Sequence, residues 1–192
     1  MNWANRITIL RILLIPVFMV LLLTNVPHGA WFAAAVFGLA ALTDSVDGYL
    51  ARSYRQVTVM GQFLDPLADK LLVSAALVAL VDLGRLSAWI AILIISREFA
   101  VSGLRLVAMA EGRVIPASRF GKTKTLFQVI AIIGWIILPE VRVGPPLLQD
   151  AIYLLAAGLL GLAVVLTLGS FFDYFFKSRD ILIPPAGQES GR

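Results

Sequence analysis

No cysteine occurs among the 192 residues, which excludes disulfides, zinc-thiolate sites and thiol nucleophiles and leaves the compartment open. There is a single histidine, His28, and its place in a turn segment gives it no expected chemical role. Charge is scarce as well. Asp, Glu, Lys and Arg make up 15% of the chain, against about 25% in ordinary soluble domains. What abounds is apolar: 59% of residues are hydrophobic and the mean hydropathy is +0.89. An ordinary water-soluble domain is thereby excluded. A bilayer-spanning helix takes about 20 residues, so six spans use roughly 120 and leave about 70 for loops and tails.

Apolar runs predict helices near 7–25, 31–52, 57–81, 86–110, 120–138 and 147–172, too long and continuous for strands. Turn chemistry separates them, as in Asn25-Val26-Pro27-His28-Gly29, Asp82-Leu83-Gly84 and Gly144-Pro145-Pro146. The expected fold is all-α: one polytopic integral membrane domain over 1–183 with six transmembrane helices, followed by a disordered tail, 184–192. An even number of spans puts both termini on one side. That side carries Arg6, Arg11, Arg52, Arg55, Arg113, Arg119, Lys122, Lys124, Lys177, Arg179 and Arg192, whereas Arg85 and Arg142 lie on the other. Positive charge is retained inside, so both termini are expected to be cytoplasmic. The net charge of +4 and pI near 9.8 then serve anionic headgroups and topology, with no nucleic-acid partner. Trp31, Trp89 and Trp135 fall at the opposite helix ends, where an aromatic belt is expected. Arg6 and Arg11 ahead of an apolar stretch resemble a signal peptide, but five further spans make a resident first helix the simpler reading.

The acids are the informative residues. Asp44 and Asp47 fall in the second span and Asp65 and Asp69 in the third. Each costs about 2.5–3.5 kcal/mol at a helix centre on insertion scales, so something must offset them. Their i, i+3 and i, i+4 spacings project each pair from one helix face. Two adjacent antiparallel helices can bring the four carboxylates together, where repulsion calls for cations. Oxygen ligands without His or Cys favour Mg²⁺ or Mn²⁺, and paired ions about 3.5–4 Å apart suit displacement at phosphorus. Gly48, Ala51 and Gly61 stand on or beside the same faces, where small side chains admit a ligand or a neighbouring backbone. The same acids also fit a proton or divalent-cation pathway, or charges neutralised by Lys70, Arg97 and Arg105. A transporter, however, would spread them through the bilayer depth.

The run Asp44-x2-Asp47-Gly48-x2-Ala51-Arg52-x8-Gly61-x3-Asp65-x3-Asp69 resembles, at every fixed position, the signature of the CDP-alcohol phosphatidyltransferase family. Asn5 to Arg11 with Pro16 is similar to its amino-terminal element. Ser96-Arg97-Glu98-Phe99, Ser102-Gly103-Leu104-Arg105 and Gly121 to Thr125 with Gln128 resemble the branch whose acceptor is sn-glycerol 3-phosphate. The sixth span carries no recognisable motif. The resemblance implies transfer of a phosphatidyl group from CDP-diacylglycerol to sn-glycerol 3-phosphate, releasing CMP, by a homodimer of six-helix subunits in the cytoplasmic membrane with its site facing the cytoplasm. It further implies that Asp44, Asp47, Asp65 and Asp69 hold two divalent cations, Mg²⁺ or Mn²⁺, with Asp69 also the general base. Donor contacts would come from Asn5, Thr8, Gly48, Ala51, Arg52, Thr58 and Gly61.

Charge reasoning adds the acceptor. Its phosphate needs cations, and Arg97 and Arg105, eight residues apart, stand roughly 80° apart around a helix. With Lys122 they form the expected phosphate grip, Arg119 and Lys124 being further candidates. Another acceptor, inositol phosphate or serine, is the alternative within the family; a catalytically silent lipid-binding scaffold is another outside it. The role of Glu98 is left open by the sequence.

Overall fold

A computed structural model describes residues 3–24, 26–53, 59–110, 119–141 and 145–182; for 3–5, 44–53, 59–66, 109–110, 119–124 and 173–182 the description is of the backbone alone. The expected tail 184–192 lies outside these residues. The described chain is all-helical and contains no strand. Its helices are α1 (Trp3–Leu23), α2 (Gly29–Ser53), α3 (Val59–Asp82), α4 (Ala88–Ala110), α5 (Arg119–Ile137) and α6 (Pro146–Leu182), with a short 3₁₀ turn, Leu138–Glu140, after α5. Two helices are long and apolar enough to cross a bilayer, over Arg6–Leu23 and Pro146–Phe172, and Gly29–Thr43 and Thr125–Glu140 are shorter apolar stretches. Helix α4 interrupts its apolar run with Arg97, Glu98 and Arg105.

Two turns fix how the first four helices enter the bundle. Between α1 and α2, His28 takes a left-handed conformation (φ 58°), which histidine tolerates better than most residues. Its carbonyl accepts from the Trp31 and Phe32 amides at 3.0 and 3.2 Å, so its backbone, not its ring, starts α2. Gly29 follows because a Cβ there would stand 2.5 Å from the Leu21 carbonyl oxygen. At the end of α3, Gly84 (φ 65°) forms a Schellman closure: Arg85 N donates to Leu80 O at 2.9 Å and Gly84 N to Val81 O at 2.9 Å. The Arg85 side chain then reaches across and donates from Nη1 to the Ile136 carbonyl at 3.2 Å, placing a cation at the C-terminal end of α5.

Helix α1 packs against α2 and α3, α2 against α5, α3 against α4, α4 against α6 and α5 against α6. Phe18 and Phe37 meet at the centre with ring centroids 5.6 Å apart, among buried Leu72, Leu77, Leu80, Ile94, Ile132 and Ile136. Ala33, Ala34, Ala40, Ala76 and Ala79, also buried, let neighbouring backbones close up. The outer faces are apolar: Leu147, Leu154, Leu155 and Val165 of α6 and Trp89 of α4 are exposed. Trp31 is exposed too. Trp135 differs from its expected place in a belt, since it packs on the core and its indole Nε1 is buried with no hydrogen-bond partner among the described residues.

Candidate active site

Where α3, α4 and α5 meet, a cleft is lined by Asp69, Lys70 and Val73 of α3, Glu98 of α4, and Thr125, Gln128 and Val129 of α5. The i, i+3 and i, i+4 intervals within α3 and α5 put each group on one helix face. In a bundle whose interior is mostly apolar, two carboxyl groups, an ammonium and a carboxamide share one opening. Gln128 is almost fully buried there, and Asp69 and Glu98 are half-buried. Carboxylates so enclosed need cations or hydrogen-bond donors around them; Lys70 shares the lining and the Arg97 guanidinium lies 3.3 Å from Glu98.

Behind the cleft, Arg97 is buried between α4 and α6. Its Nη1 lies 3.3 Å from Glu98 Oε1 and its Nη2 donates to Ser170 Oγ at 2.7 Å. Ser102 Oγ, in turn, donates to the Glu98 carbonyl at 2.8 Å. Arg105 stands seven residues beyond Glu98, hence on the same face of α4, and is half-buried. On α1, Thr8 and Arg11 are both buried, and neither belongs to the cleft lining. Arg11 Nε donates to the Ala40 carbonyl at 3.2 Å and to Thr43 Oγ1 at 3.4 Å. That bond locks α1 to α2 at the residue preceding Asp44.

Asp44, Asp47, Gly48, Ala51 and Arg52 lie in α2, and Gly61 and Asp65 in α3 ahead of Asp69, two helices that pack together. Asn5 belongs to α1, and Arg119, Lys122 and Lys124 to the first turns of α5. The side chains of these residues, and Thr58 altogether, lie outside the described residues. Among the expected residues whose side chains are described, the structure brings Asp69 to the cleft and sets Arg97 behind it against Glu98, while Thr8, buried on α1, and Arg105 are not part of the lining. It adds Lys70, Thr125, Gln128 and Glu98 to the lining. Ser170 has no counterpart in the sequence reading; the only signal is a pair of hydroxyls, Thr167 and Ser170, one turn apart in an apolar run.

An all-helical bundle with two bilayer-length apolar helices and a polar cleft lined by Asp69 and Glu98, with further acids carried on α2 and α3, has the build of a membrane protein with a charged internal site. Residues 1–169 match the family model described as CDP-alcohol phosphatidyltransferase, and the chain belongs to that family. It is similar to the CDP-diacylglycerol–glycerol-3-phosphate 3-phosphatidyltransferase of Bacillus subtilis (strain 168), 43% identical over 94% of this chain and 97% of that protein. The probable phosphatidylglycerophosphate synthase of Mycobacterium tuberculosis (strain CDC 1551 / Oshkosh) is 41% identical over 94% of this chain and 83% of its own length. A Pseudomonas fluorescens protein, named as the Bacillus one is, shares 43% identity over 83% of this chain and 84% of its own. Two bilayer-length apolar helices in a chain of this family make it membrane-associated.

Proposed function

We propose that this protein transfers the phosphatidyl group of CDP-diacylglycerol to sn-glycerol 3-phosphate, forming phosphatidylglycerophosphate and CMP in phospholipid biosynthesis. One observation carries the reading: Asp69, the last acid of the run that resembles the family signature, opens on the polar cleft in a chain 43% identical to relatives named for this reaction.

The donor set fits a hard divalent cation. It consists of carboxylates without cysteine, and Asp69 faces a cleft instead of lipid. Asp44, Asp47, Asp65 and Asp69 would hold two such ions, Mg²⁺ or Mn²⁺, which when bound supply positive charge to the diphosphate oxygens. The remaining steps belong to the chain's own residues. Asp69 accepts the proton of the acceptor hydroxyl as that oxygen attacks the lipid-side phosphorus in line. The bond to the bridging oxygen breaks and CMP leaves with its electron pair. No covalent enzyme intermediate is required. Gly48, Ala51 and Gly61 leave room for the diphosphate, and Asn5, Thr8, Arg52 and Thr58 address the donor headgroup. Arg97, Arg105 and Lys122, with Arg119 and Lys124 beside them, hold the acceptor phosphate. Glu98 balances Arg97 at the cleft edge.

In this reading six helices cross the cytoplasmic membrane with both termini and the cleft on the cytoplasmic side, where glycerol 3-phosphate is dissolved, and two subunits pair as a homodimer. The test is to incubate purified protein with CDP-diacylglycerol, Mg²⁺ or Mn²⁺ and separate acceptors, and to identify the lipid product by mass. Phosphatidylglycerophosphate is expected with glycerol 3-phosphate alone. A product formed only with serine or inositol phosphate would reassign the acceptor, and metal uptake into vesicles without any lipid product would replace transfer by transport.

A further inference from the structure

Among the described side chains of the sixth helix, which carries no motif, Ser170 touches the site. Ser170 is 3% exposed. Its hydroxyl donates to the Thr167 carbonyl at 3.1 Å and accepts from Arg97 Nη2 at 2.7 Å. A serine hydroxyl has a single proton. With that proton committed to the helix backbone, only lone pairs face α4, so the hydroxyl meets a guanidinium in the orientation that holds it. Thr167 turns its own hydroxyl back to the Ala163 carbonyl at 2.6 Å, so of these two hydroxyls Ser170 is the one presented to Arg97. The other end of the same guanidinium lies against Glu98, and Glu98 lines the cleft with Asp69. The chain of contact therefore runs from α6 through Arg97 to the cleft wall.

We propose that Ser170 is a positioning residue of the acceptor site: it fixes the plane of Arg97, and with it the Arg97–Glu98 pair, for the phosphate of the incoming acceptor. This rests on the reading that Arg97 serves the acceptor. An arginine binds phosphate through a planar fork, so the torsion about its last bonds decides whether two N–H groups or one meet the ligand. A hydroxyl bonded to one Nη removes that freedom before the ligand arrives, which lowers the ordering cost of binding.

The test compares Ser170→Ala, Ser170→Thr and Ser170→Val with wild type, using the full-length protein in mixed micelles and measuring kcat and KM for each substrate. Thr keeps the hydroxyl, whereas Val has the same shape without it. Ala and Val should raise KM for glycerol 3-phosphate about tenfold, the effect of one hydrogen bond to a charged group, with KM for CDP-diacylglycerol changed by less than about twofold; Thr should recover most of the loss. Because Ser170 acts through Arg97, the double variant Arg97→Ala/Ser170→Ala should be no worse than Arg97→Ala alone. Wild-type kinetics in both Ala and Val, equal rises for the two substrates, or Thr as impaired as Val would each overturn the positioning role. Should Arg97→Ala raise KM for glycerol 3-phosphate while Ser170→Ala and Ser170→Val do not, Ser170 is excluded and the acceptor reading stands. Should Arg97→Ala leave that KM unchanged, the acceptor reading itself fails.

Discussion

Buried charge is expensive for a membrane helix to carry, and apart from Arg11, which ties α1 to α2, and Lys70 of the lining, the charged residues around the cleft are those to which the proposed chemistry is assigned. Asp69 stands on the cleft with no histidine near it to share base work. Asp69→Asn keeps the size and loses the proton acceptor, so turnover should fall by about 10²–10⁴-fold while CDP-diacylglycerol binding is largely retained; wild-type turnover, with deamidation excluded, would remove it from the role. Arg105→Ala should lower kcat/KM for glycerol 3-phosphate by about 10–150-fold, from the roughly 1.5–3 kcal/mol of a hydrogen bond between charged groups. Arg105→Lys should recover only part, since it returns charge without the fork. An equal loss for both substrates would make Arg105 a support of the fold or the donor site. These residues could be read from the sequence because an acid or arginine in an apolar run has few inexpensive explanations. Ser170 could not. A serine in a membrane helix can satisfy its hydroxyl on its own backbone, so the sequence cost that flags Asp69 is absent for Ser170.

At the scale of the element, every expected helix exists, and the ends show what periodicity can and cannot reach. The second run, expected over 31–52, is Gly29–Ser53, because Gly29 and His28 make a turn whose chemistry is written in residue types. The last run, expected to stop at 172, continues as helix to Leu182. There the apolar signal ends at Asp173, but no glycine or proline intervenes before Pro184, and a helix can outlast its hydrophobic stretch wherever nothing breaks it. The tight entry into α2 carries its own prediction. Gly29→Ala adds a methyl where only 2.5 Å separates it from the Leu21 oxygen, and overpacking of this kind costs about 1–3 kcal/mol. Thermal unfolding in detergent should shift down by several degrees, more than for Gly84→Ala, where a side chain meets nothing within 4 Å and only the backbone conformation is strained. A Gly29→Ala protein as stable as wild type would mean that the turn relaxes freely.

Across the whole molecule, the helices divide by what they can do unaided. The first and last of the described helices, α1 and α6, have stretches long and apolar enough for a bilayer, with charge confined to Arg6 and Arg11 in one and Asp150 in the other, whereas α4 carries Arg97, Glu98 and Arg105 along its length. The consequence is one of biogenesis. A nascent chain delivers α1 to the membrane readily, but α4 emerges before Ser170 exists to receive Arg97, and each of its charges adds about 2.5–3.5 kcal/mol to independent insertion near the centre. If α4 crosses the bilayer as proposed, it is expected to wait, sheltered beside the translocation machinery or against α3, until α6 is made. Grafted singly between reporter glycosylation sites in a host protein, α1 and α6 should integrate efficiently and α4 poorly. Appending α5 and α6 to the α4 graft should raise its integration, and replacing Ser170 by Val should take part of that gain away. If α4 integrates alone as well as α6 does, the burden of its charges is borne by lipid and water, and assembly of the site need not wait for the end of synthesis.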